Sequence, residues 1–164
     1  MKTNWISGIL FICLLSLACK KETTYIYELD PVQVKKDQSQ KQTPKSTTEF
    51  ISIAYSDVTG KTISQNTLSQ LSLLYVAFGD KKLLEDMLVR NFLKMPEALE
   101  RIETNEQMRE DIPAFVKAMY AKLYNREPNE LELWTVSQKI QKNAELSPVM
   151  VYYSMMTSDE YRFY

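Results

Sequence analysis

Few side chains in this chain could do chemistry, and their types limit what that chemistry would be. The sequence has no histidine. That removes histidine-based triads, histidine general bases and nearly all zinc sites. Its two thiols, Cys13 and Cys19, both lie at the start, so no disulfide framework is available further along. Carboxylates are plentiful, and a glycosidase needs only two of them. Nothing in the spacing singles out a pair. Glu100-Arg101-Ile102-Glu103 and Arg109-Glu110-Asp111 read as solvated faces. Arg126, just before Glu127-Pro128, could hold the carboxylate or phosphate of a ligand. The commoner use of such an arginine is to tie down a joint between helices, bonding the last helical carbonyls or an acid such as Asp159 or Glu160. Asp57 stands near the corresponding place in the first half and reads the same way. There is no glycine-rich phosphate loop, haem-attachment motif, calcium loop or metal-ligand cluster in the sequence. No catalytic residue, cofactor or metal is therefore expected.

The position of Cys19 gives that thiol a specific meaning. Residues 1–18 carry Lys2, an apolar run from Ile9 to Leu17 and then Ala18, the three-part layout of a secretory signal. The run is short for a membrane span. Ser16-Leu17-Ala18-Cys19 resembles a bacterial lipobox, in which the cysteine after a small residue becomes lipidated. Leu17 and Ser16 are swapped relative to the usual order. The resemblance implies acyl chains on Cys19 that anchor the chain to a membrane, since several chains on one residue hold where a single short one does not. The alternative is an ordinary signal peptide with Cys19 incidental. Cys19-Lys20-Lys21-Glu22 is also similar to the tether starts of Bacteroidetes surface lipoproteins. Residues 19–45 would form a flexible tether. They are rich in Lys, Gln, Ser and Thr, contain Pro31 and Pro44, and show no apolar period. Tyr25-Ile26-Tyr27-Glu28-Leu29 is an aromatic island within it, either a segment that adds to a folded surface or a linker with incidental aromatics.

The elements that must position everything else are helices. The chain has 164 residues, 45% hydrophobic and 25% charged, with only three glycines, which favours one all-α domain over residues 46–164. Twenty basic against 21 acidic residues leave no electrostatic footprint for nucleic acid. Ser46 with Glu49, and Asn129 with Glu132, have capping-box spacing. Ser64, Asp111 or Ile112, and Ser147-Pro148 mark further starts. Gly60 and Asn125 sit where a left-handed residue would end a helix. Phe50, Ile51, Ala54 and Val58 are expected inward. So are Leu68, Leu71, Tyr75 and Phe78, then Leu84, Met87, Leu88 and Phe92. Pro96 to Glu110 reads as a charged connector with a turn of helix. Beyond it, Phe115, Val116, Met119, Tyr120 and Leu123, then Leu133, Val136 and Ile140, then Val149, Val151 or Tyr152, Met155 and Met156 are expected inward.

The two halves align. Phe50 falls on Phe115, Ile51 on Val116, Tyr55 on Tyr120, Gly60 on Asn125, Lys61 on Arg126 and Leu68 on Leu133, each 65 residues on. After a two-residue slip, Leu88 falls on Val151 and Phe92 on Met155. The expectation is two related three-helix units, about 46–96 and 111–164, packed as one six-helix domain.

Phe115-Val116, Tyr120, Leu123, Asn125-Arg126-Glu127-Pro128, Leu133-Trp134 and Ser158-Asp159-Glu160-Tyr161 resemble a bacterial domain of unknown function related to phycobilisome linkers. Asn125 stands where that family usually has glycine. Tyr55 to Gly60, with the helix end at Leu88 to Pro96, is similar to helical domains in planctomycete-type envelope proteins. The resemblances imply an all-helical envelope module that interacts more than it catalyses. The expected protein is an outer-membrane lipoprotein, on the periplasmic or the cell-surface face. Its membrane contact is the lipid on Cys19, and its helical domain binds another envelope protein. The alternative is a small carboxylate-dependent enzyme, or its accessory subunit, acting on envelope or extracellular polysaccharide. Arg126, Trp134, Tyr161, Phe163 and Tyr164 are the candidate interaction or joint residues. The aromatic C-terminus either packs down or marks a contact site.

Overall fold

Every helix needs partners for its first backbone N–H groups, and in the described residues side chains supply them at every helix but Pro96–Leu99, whose N-cap Met95 makes no side-chain bond. In the computed structural model, which describes residues 43–163, Ser46 caps α1 (Thr47–Thr59) and Glu49 closes the box back onto it. Ser64 caps α2 (Gln65–Ala77), and Asp80 caps α3 (Lys81–Leu93). Asp111, not Ile112, caps α6 (Ile112–Tyr124), accepting from the Ala114 N–H at 3.0 Å. Asn129 and Glu132 form the box of α7 (Glu130–Lys142), and Ser147 caps α8 (Pro148–Met156), with Pro148 in the first turn. Three short helices complete the set: α4 (Pro96–Leu99), α5 (Asn105–Glu110) and α9 (Asp159–Arg162). The fold is all-α. Among the described residues the one extended pairing is an isolated antiparallel bridge between Pro44 and Phe163.

The repeat is visible in the helix boundaries. α1 and α6 start at 47 and 112, and α2 and α7 at 65 and 130, an offset of 65 in both cases. α3 and α8 end at 93 and 156, and α4 and α9 start at 96 and 159, an offset of 63. The slip arises because α8, at nine residues, is one turn shorter than the 13-residue α3, while the loop before it is longer. Each repeating unit therefore has a short fourth helix as well as three long ones. Contacts repeat too. α1 packs on α2, α3 and α4, and α6 packs on α7, α8 and α9. The third helix of one unit, α3, lies against the third helix of the other, α8. Five buried residues of α1 (Phe50, Ile51, Ala54, Val58, Thr59) each have a buried counterpart 65 residues on in α6: Phe115, Val116, Met119, Leu123 and Tyr124.

Gly60 and Asn125 both take the left-handed conformation, with φ of 67° and 53°. Most of the expected core is buried, but Phe78 and Met87, expected inward, are exposed. The core accepts only Tyr75 of α2 fully, because that helix leans on α1 and little else. Leu68, Leu71, Leu133, Val136 and Val149 sit at the core margin. The connector is also less purely charged than its composition suggests, since Ala98, Ile102 and Met108 are buried. Cys19, the signal and nearly all of the tether lie outside the described residues.

Candidate functional site

Arg126 follows the left-handed residue that ends α6, so its side chain projects across the joint between α6 and α7. Its guanidinium donates to both carboxylate oxygens of Glu132, each at 2.8 Å, and to both of Glu160, at 2.5 and 2.8 Å. A fifth bond, at 3.1 Å, reaches the Glu127 carbonyl. Its face lies over the rings of Tyr120 and Tyr124, 5.0 and 5.8 Å from their centres. With all its donors engaged inside the chain, this arginine is a tie and not a receptor for a ligand. The two carboxylates hold its pKa well above the usual guanidinium range, and hydrogen bonds from Arg126 hold that of Glu132 below the usual carboxylate range. The first unit repeats the tie in weaker form. Lys61, 65 residues before Arg126, bonds Glu97 at 3.2 Å, and Glu97 occupies in α4 the place of Glu160 in α9.

Tyr161 packs down into the core and is fully buried. Its ring stands edge-on to Phe50 at 6.0 Å and its hydroxyl donates to Asp57 at 2.6 Å. Lys45 donates to its carbonyl and lies over its ring. Burial pushes the Asp57 carboxyl up, against the pull of the Tyr161 hydroxyl, Lys45 and Lys122. Lys122, the position in α6 equivalent to Asp57 in α1, donates to the Tyr152 hydroxyl at 2.9 Å, and that hydroxyl donates to Glu103 at 3.3 Å. Opposite charges at equivalent positions thus face a common polar seam. Phe163 joins the bridge to Pro44, and Tyr164 lies outside the described residues.

A groove of about 410 Å³ is lined by Phe50, Tyr75, Lys81, Lys82, Glu85, Asp86, Met156 to Asp159, and Arg162. Each of its carboxylates is engaged. Glu85 pairs with Arg162 at 3.1 Å and accepts from the Tyr75 hydroxyl. Asp86 accepts from the Tyr153 hydroxyl and from Arg90, which together hold its pKa low. Asp159 pairs with Lys82 at 3.3 Å. The carboxyl that burial raises, Asp57, does not line this groove. Among the described residues no cluster of three or more acidic or thiol side chains could hold a metal, and no helix is long and apolar enough to cross a membrane.

The outer surface is more distinctive than the groove. On α7, Leu131 and Trp134 are 71% and 63% exposed, one turn apart and so on one face. On α2 and its cap, Leu73, Leu74, Val76 and Phe78 are exposed, Val76 at 81%, and so are Leu83 and Met87 on α3. Trp134, a candidate from the sequence, is exposed, whereas Phe78 and Met87 of the α2 and α3 group are expected inward. The signal was present, since Leu73, Leu74, Tyr75, Val76 and Phe78 surround the helix and no single buried face could take them all. Compared with protein-family models, with curated proteins and with solved structures, the chain matches none.

Proposed function

We propose that this chain is a cell-envelope lipoprotein held at the outer membrane through lipid on Cys19. Its helical domain is a non-catalytic module that binds another envelope protein. The observation that carries this reading is the set of large apolar side chains exposed on the second helix of each unit, Leu73, Leu74 and Val76 on α2 and Leu131 and Trp134 on α7. Clustered exposed apolar residues are characteristic of interaction surfaces, and tryptophan is favoured at their energetic centres. The tight ties at Arg126 and Tyr161 hold the units as a rigid support for those helices. Polysaccharide chemistry draws no support from the groove, whose carboxylates are all engaged.

The experiment places a photo-crosslinking amino acid at position 134 in the full chain, in intact cells, with and without Cys19→Ala. One dominant envelope protein captured from position 134, and lost when Cys19→Ala releases the chain from the membrane, is the expected outcome. No specific adduct at all would overturn the module. Capture that persists undiminished in a membrane-bound Cys19→Ala chain would overturn the anchor.

A further inference from the structure

The two ends of the described chain meet at one place. Pro44 bridges Phe163, and the Lys45 N–H donates to the Arg162 carbonyl at 2.9 Å. The Lys45 ammonium turns inward, donates to the Tyr161 carbonyl and lies 4.0 Å from the centre of the Tyr161 ring. Tyr161 in turn reaches from α9 of the second unit to α1 of the first, where it bonds Asp57 and packs on Phe50. Lys45 is only 6% exposed, rare for a lysine. The second unit shows that the fold does not need this arrangement. The residue 65 places after Lys45, just before α6, is Glu110, which is exposed. The residue 63 places before Tyr161, in α4, is Ala98, buried and without a polar side chain. Burying an amine near a carboxylate costs desolvation that an apolar pair would not. What the polar groups supply instead is one defined position, since each must find its partner.

We propose that Pro44 and Lys45 form a latch: closed on the C-terminal turn at 161–163, it holds Tyr161 against α1 across the two units, and when it opens that hold loosens. The latch is independent of the interaction-module reading and needs neither lipid nor partner. Whatever displaces the chain at Pro44 acts next on Lys45, and through Lys45 on Tyr161 and Asp57. Around Asp57 the seam holds Lys45, Tyr161 of α9, Lys122 of α6, Tyr152 of α8, and Arg101 and Glu103 of the connector. Burial raises the Asp57 carboxyl, and Lys45 and Lys122 pull against that rise. Lys45 therefore favours the ionised carboxylate. The charge part of its hold is complete while Asp57 is ionised and is lost as pH falls through the raised pKa.

The test is hydrogen exchange of the full chain, read by mass spectrometry in peptides covering 43–46 and 158–163, with urea midpoints beside it. At neutral pH, Lys45→Met should speed exchange in both segments by about tenfold or more, the loss expected of a buried charged hydrogen bond. Lys61→Ala, which breaks an exposed pair, should change neither. Asp57→Asn keeps a partner for the Tyr161 hydroxyl and removes the charge. It should speed exchange at 43–46 without lowering the urea midpoint, since the buried charge it removes is itself costly. The midpoint difference between wild type and Lys45→Met should shrink from neutral to acid pH, and in an Asp57→Asn background it should not vary with pH. Faster exchange at 43–46 with none at 158–163 would overturn the coupling. Exchange in both segments of wild type as fast as in an unfolded chain would overturn the latch itself. Circular dichroism separates an unfolded variant from an open latch. If Lys45→Met does not fold, Asp57→Asn decides alone, and unchanged exchange at 43–46 would overturn the proposal.

Discussion

Arg126 shows how one residue decides between chemistry and structure. An unpaired guanidinium facing solvent would suit an anion. This one is spent on Glu132 and Glu160, about a third of its side chain remaining exposed. Removing it would leave two carboxylates close together with no cation. Arg126→Ala should therefore destabilise the chain by about 1–3 kcal/mol, the lower end if water reaches the acids. Lys61→Ala, at the equivalent exposed position, should leave the denaturation midpoint unchanged. The tie has a pH signature. Glu132 has a lowered pKa in the folded chain, so its contribution is complete above the ordinary glutamate range. It is lost as pH falls through that range to the lowered value. Urea midpoints from neutral to acid pH should fall more steeply for wild type than for Arg126→Ala. The structural use of Arg126 was legible in the sequence, from the helix end before it and the proline after it. Glu160 was legible as a partner. Glu132 was not, because its role in the capping box already accounted for it.

At the scale of elements, legibility followed local chemistry. Caps and stops depend on a few adjacent residues, so Ser46, Ser64, Asn129, Ser147, Gly60 and Asn125 could be placed from sequence. Burial depends on what lies across from a helix, so Phe78 and Met87 were misplaced. The connector over 96–110, expected to hold one turn of helix, holds two short helices, α4 and α5; six residues give α5 no period to read, although Thr104 and Gln107 form a full capping box. Asn125 is the sharpest test at this scale, since an L residue at φ 53° is tolerated only when small and polar. Asn125→Gly should hold or raise stability, by up to about 1 kcal/mol. Asn125→Val should lower it by about 1–2 kcal/mol. Thermal melts of the two variants against wild type separate these outcomes.

Residues 43–163 form two similar units whose inner surfaces repeat and whose outer surfaces do not. Shared offsets in helix ends, in the buried residues of α1 and α6, and in the Lys61–Glu97 and Arg126–Glu160 ties describe one architecture used twice. The proposed interaction function falls where the copies differ: the exposed apolar residues of α2 and α3, and Leu131 and Trp134 of α7. The measurement that tests this most directly is hydroxyl-radical footprinting of the full chain in intact cells against the purified chain diluted in detergent. The account predicts that Leu73, Val76, Phe78, Leu131 and Trp134 react less in cells, while the exposed residues Leu99 and Met150 react equally in both. Equal reactivity at all of these positions would mean that nothing covers the apolar faces in the cell and would contradict the account.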